Sequence, residues 1–164
     1  MTVTELVPLA RVAAQKVEFL LDAAFGIDRH GRTAYLLRAG MPVIDRLAFG
    51  ITENIHLIAS IQCWPVMADD APLILVGPVA VSPARQSQGL GTRLMTAMIG
   101  AGTQNDAPLV MIGDPQYYRR FGFSAARTGG WILPGPWEPH RLLLRDAESR
   151  TLPATAMLGP RTSL

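Results

Sequence analysis

The chain has 164 residues, 49% of them hydrophobic and 17% charged, which provides for a folded core and excludes a disordered polyelectrolyte. Its net charge is +2, yet Lys16 is the sole lysine and the arginines are scattered, so the clustered basic stripe of a nucleic-acid binder is missing and no nucleic-acid partner is expected. A single cysteine, Cys63, excludes an internal disulfide and points to a reducing, cytoplasmic setting. The longest apolar stretch, Leu73 to Val81, is far short of the ~20 residues that cross a bilayer, and no signal peptide or membrane partner is expected.

In chain order, Pro8 to Phe25 reads as an amphipathic helix, with Leu9, Val12, Ala13, Val17, Leu20, Leu21, Ala24 and Phe25 forming one stripe and Gly26 following its end. Ile27 to Ile44 carries Arg29, Arg32 and Arg38 and has room for a short second helix around Tyr35 to Arg38. Asp45 to Thr52 and Ile55 to Met67 read as antiparallel strands joined near Glu53-Asn54. In the second, Leu57, Ala59, Ile61, Cys63 and Pro65 alternate with His56, Ile58, Ser60, Gln62 and Trp64. Leu73 to Val81 is an almost unbroken apolar run, as in a strand covered on both faces, and Ser82-Pro83 stops it.

After that strand comes Gln86-Ser87-Gln88-Gly89-Leu90-Gly91, and then helical spacing at Leu94, Met95, Met98 and Ile99. Glycines let a ligand approach the backbone closely, and the amides of a first helical turn favour a polyphosphate. No acidic residue lies between Ser82 and Asn105 to repel one. The loop lacks the lysine of a phosphate-binding P-loop and the third glycine of a dinucleotide fingerprint. Downstream, Leu109 to Gly113 reads as a strand, and Asp114-Pro115 as an N-cap with proline at the first helical position. A short helix follows over Gln116 to Phe121, ended by Gly122, and Arg141 to Arg145 reads as a last strand. Residues 147–164 show weak periodicity and read as a tail or a partner-contacting arm.

Val79-Ala80-Val81-Ser82-Pro83 with Gln86-x-x-Gly89-x-Gly91 resembles the acetyl-CoA-binding motif of the GNAT N-acetyltransferase superfamily. Gly113-Asp114-Pro115-Gln116-Tyr117-Tyr118-Arg119-Arg120-Phe121-Gly122-Phe123 is similar to that superfamily's Tyr-x-x-x-Gly-Phe segment, most like the small bacterial YhbS-like subgroup. The resemblance covers Leu73 to Phe123 and implies an α+β (α/β layered) fold with a mixed, mostly antiparallel sheet flanked by helices. It also implies one N-acetyltransferase domain over residues 1–164, as monomer or homodimer. The implied activity is direct transfer of an acetyl group from acetyl-CoA, as co-substrate and without a metal, to an amine of a small molecule or peptide. A non-catalytic acyl-CoA sensor or partner-binding module of the same fold is the alternative.

The residues implied are Val79, Ala80 and Val81 beside the pantetheine arm, and Gln86, Ser87, Gln88, Gly89, Leu90, Gly91 and Thr92 around the diphosphate, with Arg85 or Arg93 as an outer charge partner. Tyr118 matches the general acid: a phenol near pKa 10 can protonate a leaving thiolate near 8.5 at modest cost. A lysine-like acceptor must lose a proton at a cost of about 4.6 kcal/mol at pH 7, an α-amine about 1 kcal/mol. Glu53, His56, Asp69, Asp70, Glu138 and His140 are candidate bases, alongside a water relay. Arg29, Arg32 and Arg38 are candidates for an anionic acceptor, and Ser60, Gln62 and Trp64 for its pocket. Ser87 stands where relatives place the first glycine of the turn, and Cys63 shows no nucleophile signature.

Overall fold

The structure is a computed structural model that describes residues 3–162. Eight strands form a mixed, mostly antiparallel sheet: β1 (Thr4–Pro8), β2 (Phe49–Glu53), β3 (His56–Ala68), β4 (Ala71–Val81), β5 (Leu109–Ile112), β6 (Gly130–Ile132), β7 (Leu142–Arg145) and β8 (Thr155–Pro160). Hydrogen-bonded neighbours follow the order β1-β2-β3-β4-β5-β7, with β8 pairing to β3 and β6. Four helices accompany it: α1 (Ala14–Phe25), α2 (Thr33–Leu37), α3 (Leu90–Ala101) and α4 (Pro115–Tyr118). The described residues fall into two compact units, with β3 and β4 each divided between them.

The first unit holds the chain up to Arg29, Val43–Cys63 and Gly77–Thr103. Its strands β1, β2 and β3 are antiparallel, with Thr4 opposite Glu53 and Phe49 opposite Ile61. Leu57 pairs with Thr52 while Ala59 pairs with Ile51, so Ile58 is an extra residue in β3. That bulge reverses the alternation expected for β3, placing Leu57 and Ser60, not Leu57 and Ala59, on one face. Leu9, Val17, Leu20, Leu21, Ala48 and Ala80 form one buried cluster, against which Leu57 packs. Val17, Leu20 and Leu21 of α1 thus pack in one cluster with Ala80 of β4, each of these aliphatic side chains contributing roughly 1.5–3 kcal/mol.

The expected helix from Pro8 is corrected. Thr4 to Pro8 is strand, Leu9 to Arg11 a 3-10 turn, and the helix begins only at Ala14. Tertiary pairing wins here, because β2 offers a ladder to Thr4–Pro8 and Ala48 takes the Leu9 amide at 3.0 Å. Pro8 is tolerated at the end of an edge strand, where no donor is needed. Likewise Asp45 to Leu47 is a 3-10 turn, and the strand expected from Asp45 begins at Phe49.

The second unit holds His30–Pro42, Trp64–Val76 and the chain from Gln104 on. Ile74 and Leu75 of β4 pair in parallel with Leu109 and Val110 of β5, and β5 pairs antiparallel with β7. The segment read as a tail or arm contains β8, which lies antiparallel to Val66–Ala68 of β3 and parallel to β6. Ala156 and Leu158 are buried between exposed Thr155 and Met157, an alternation too short to stand out locally. Arg161, the residue after β8, fastens that end of the strand by donating to the carbonyls of Val66 and Leu73. The strand β6 lies within Gly129 to Pro139, a stretch punctuated by glycine and proline.

Candidate functional site

The residues singled out from the sequence fall in both units.

In the first unit, β4 ends in Gly77-Pro78-Val79-Ala80-Val81. Pro78 has no N–H, so the ladder loses a donor there. Ala80 is fully buried, while Val79 and Val81 are half-buried. The Ser82 amide donates to Ile58 at 2.8 Å, and Pro83 to Arg85 make a 3-10 turn. Gln86 is extended, and its side-chain Nε2 donates back to the Val81 carbonyl at 3.1 Å, tying the loop to the strand end. Ser87 has φ +64° and Gly89 φ +77°, both left-handed, and α3 begins at Leu90. A Cβ at Gly89 would meet nothing within 4 Å, so the glycine is there for its torsion and leaves the backbone bare.

Among the described residues, the first bond of α3 runs from the Arg93 N–H to the Gly89 carbonyl at 3.1 Å, and no backbone carbonyl takes the N–H groups of Gln86 to Gly91. Two left-handed residues followed by a twelve-residue helix leave backbone donors with the positive end of a helix dipole behind them. The two arginines expected as outer charge partners already have protein partners. Arg85 is ion-paired with Glu53, and Arg93 donates to the Thr4 hydroxyl at 2.8 Å. Glu53, a candidate base, is thereby a buried carboxylate held by a cation.

Two further expectations change in this unit. Arg29, a candidate for an anionic acceptor, is only 2% exposed and bridges Glu18 and Asp22 of α1. Ser60, a candidate pocket residue, is fully buried, and its hydroxyl has no hydrogen-bond partner among the described residues. Cys63 is fully buried beside the Leu47 carbonyl, and burial pushes its thiol up to about 12, so it is no nucleophile at neutral pH.

In the second unit the end of β5 and α4 set Tyr118. The Asp114 carboxylate accepts the Gln116 amide at 3.0 Å, Pro115 fills the first helical position, and Gly122 closes the turn with φ +87°. The Tyr118 ring lies edge-on to Tyr117 at 4.8 Å between centroids, with Phe121 and Phe123 each at 6.4 Å. Burial first, then Tyr117 and Asp114, push the phenol up to about 12, while Arg141 acts in the opposite direction. The hydroxyl therefore keeps its proton through the neutral range.

The other candidate bases and acceptor residues of this unit separate. Asp69, at φ +50° in the β3–β4 turn, accepts the amide of Met157 in β8 at 2.9 Å. Glu138 and His140 are exposed and pair with each other at 3.8 Å. Arg38, in contrast, is held between two rings, its guanidinium 4.1 Å from the centroid of Tyr35 and 3.7 Å from that of Trp64. Sequence reasoning named Arg38 and Trp64 separately, and nothing in their spacing shows that they stack. Among the described residues no helix is long and apolar enough to cross a membrane, and no group of three His, Cys, Asp or Glu side chains could hold a metal.

Residues 45–125 match the family model of the acetyltransferase (GNAT) domain. Among solved structures, the chain is similar to the GNAT family N-acetyltransferase YhbS of Escherichia coli in complex with CoA, with a TM-score of 0.70 and 21% identity over 97% of this chain and 89% of that one. A GNAT family acetyltransferase of Brucella melitensis in complex with acetyl-CoA gives a TM-score of 0.54 and 24% identity over 88% and 97%. Arabidopsis thaliana Naa50, in complex with the bisubstrate analogue CoA-Ac-MVNAL, gives 0.54 and 14% over 86% and 96%. At these identities the likeness is one of fold. No curated protein matches the sequence. The domain match, the mixed sheet and the glycine-turned loop before α3 agree: residues 45–125 of this chain match an acetyltransferase (GNAT) domain, and the fold is that of the GNAT N-acyltransferases.

Proposed function

We propose that the chain acts as one N-acetyltransferase domain that moves an acetyl group from acetyl-CoA directly to the amine of a small molecule or peptide. The observation that carries this reading is the Gln86–Gly91 loop, whose amides are taken by no backbone carbonyl among the described residues and lie at the start of α3. A diphosphate fits this donor set, because it accepts several N–H groups at once and its charge is favoured by the helix dipole. In this reading Gln86, Ser87, Gln88, Gly89, Leu90, Gly91 and Thr92 surround the diphosphate, and Val79, Ala80 and Val81 border the pantetheine arm. Because Gln86 occupies the Val81 carbonyl, Val81 would offer its N–H instead. The bare backbone at Gly89 leaves room for a close approach.

Bound acetyl-CoA supplies the thioester. The acceptor nitrogen attacks its carbonyl carbon, the C–N bond forms, the C–S bond breaks, the thiolate takes a proton, and the proton lost by the nitrogen passes to water and restores the group that protonated the thiolate. Tyr118 gives the thiolate its proton: its phenol is protonated at neutral pH, and burial, which pushes it up to about 12, makes the transfer to a thiolate near 8.5 more costly than from an ordinary phenol. Glu53 is not proposed as the base, because its carboxylate is committed to Arg85. An α-amine, which needs only about 1 kcal/mol to be neutral at pH 7, makes the smallest demand on a base.

Two measurements test the reading. Acetyl-CoA should raise the melting temperature with concentration as mass action requires. Free thiol should then appear on adding an amine, in a screen of polyamines, amino acids, aminoglycosides and short peptides. Stabilisation without thiol release from any amine would mark an acyl-CoA-binding module, and neither response would end the proposal.

A further inference from the structure

Gly113 has no conformational reason to be glycine: its φ is not positive, and its amide makes an ordinary sheet-like bond to the Arg141 carbonyl at 3.0 Å. Its reason is space. A Cβ built there would stand 2.7 Å from Cε2 and 2.8 Å from Cδ2 of the Tyr118 ring, with Cε of Met111 at 3.3 Å. Real carbon atoms do not approach so closely, so any side chain at 113 must displace the ring. The ring has little freedom to yield, because Tyr117, Phe121 and Phe123 lie around it. The Phe123 amide also reaches back to the Tyr118 carbonyl at 3.4 Å, which holds the backbone beneath the ring.

We infer that Gly113 is a positioning residue for Tyr118: the side chain it lacks is the space in which the phenol ring is seated. Asp114 and Pro115, the next two residues, start α4 so that the fourth residue after the cap returns over the end of β5. The run Gly113-Asp114-Pro115 therefore has one job with three parts: room for the ring, a capped helix start, and a fixed first torsion. As a role in catalysis this rests on the acetyl-transfer reading; as a matter of packing it does not.

The test uses the full chain with Gly113→Ala, Tyr118→Phe and both together. Thiol release by Gly113→Ala should fall at least tenfold in kcat with the acetyl-CoA KM unchanged, since small displacements of a reacting group are that costly. Adding Gly113→Ala to Tyr118→Phe should cost nothing more, because the two act through one hydroxyl. The second readout needs no turnover. The ultraviolet ionisation of Tyr118, taken as the difference between chains with Tyr and Phe at 118, should start at lower pH in the Gly113→Ala background, as the ring leaves its buried seat between Asp114, Tyr117 and Arg141. If Gly113→Ala does not fold, Tyr118→Ala should restore folding by removing the clash. An unchanged kcat with an unchanged Tyr118 titration, additive losses, or no recovery of folding would each overturn the inference. A wild-type chain that releases no thiol with any amine, but whose Tyr118 titration shifts, would remove the transferase reading and leave the seat.

Discussion

The Gln86–Gly91 loop and the Tyr118 seat are built in opposite ways. The loop presents main chain: Gln88 and Gly89 are exposed, Ser87 and Gly89 sit at positive φ, and nothing crowds Gly89. The seat presents a side chain: Tyr118 is wedged between the bare Cα of Gly113 and three aromatic rings. In the first, identity matters through torsion, and in the second through volume. The loop should therefore be sensitive to what changes backbone conformation and the seat to what changes packing.

The largest effect that sharpens this contrast is at Tyr118. Tyr118→Phe keeps the ring and removes the proton, so thiol release should fall by roughly 10²–10⁴-fold while acetyl-CoA stabilises the variant as it does the parent. Unchanged thiol release would remove Tyr118 from the acid role. Next comes Gly89→Val, which forces a β-branched residue into the left-handed region at a cost above about 1–2 kcal/mol. Affinity for acetyl-CoA should fall about tenfold, read by the shift in melting temperature, although a Cβ there meets no neighbour. Full affinity in that variant would mean that torsion is not what the loop depends on.

A smaller effect separates the two regions by pH. Folding holds the protons of Cys63 and Tyr118 more tightly, raising them from 9.0 and 10.0 to about 12 each, in both cases chiefly by burial. Below pH 9 neither difference counts and stability is complete. Between pH 9 and 12 the unfolded chain releases protons that the folded chain keeps, so stability falls as pH rises. Melting curves from pH 8 to 11 should show that fall, and Tyr118→Phe should remove the part beginning near pH 10. The loop carries no such buried acid, and substitutions there should leave the alkaline limb unchanged. The smallest effect is expected from Ser87→Gly. It relieves the strain of φ +64° but loosens the unfolded chain, for a net gain of at most about 1 kcal/mol. Acetyl-CoA affinity should be unchanged if the loop binds through its amides, and a loss would show that the Ser87 hydroxyl is a ligand too.

Much of this was readable along the chain where the signal is local. The apolar run of β4, the glycines at 89 and 91, the helical spacing of α3 and the Asp114-Pro115 start of α4 each reflect constraints felt within a few residues. The boundary errors have a different origin. Thr4–Pro8 and Thr155–Pro160 are strands only because β2, β3 and β6 lie beside them. The β3 alternation failed at Ile58, where one extra residue turned the faces over. Arg29, Arg38 and Glu53 could be named as charged candidates, but their partners stand far off in sequence or on another element.

Sequence alone carried the two motifs that resemble the GNAT superfamily, the glycine-turned loop before α3 and the capped start of α4, because torsional and capping preferences act at short range. Only the folded chain decided which charges are already matched, which hydroxyl is entombed and why residue 113 can carry no side chain. Those are facts of volume and distance between residues that the backbone brings together, and spacing along a chain does not encode them one pair at a time.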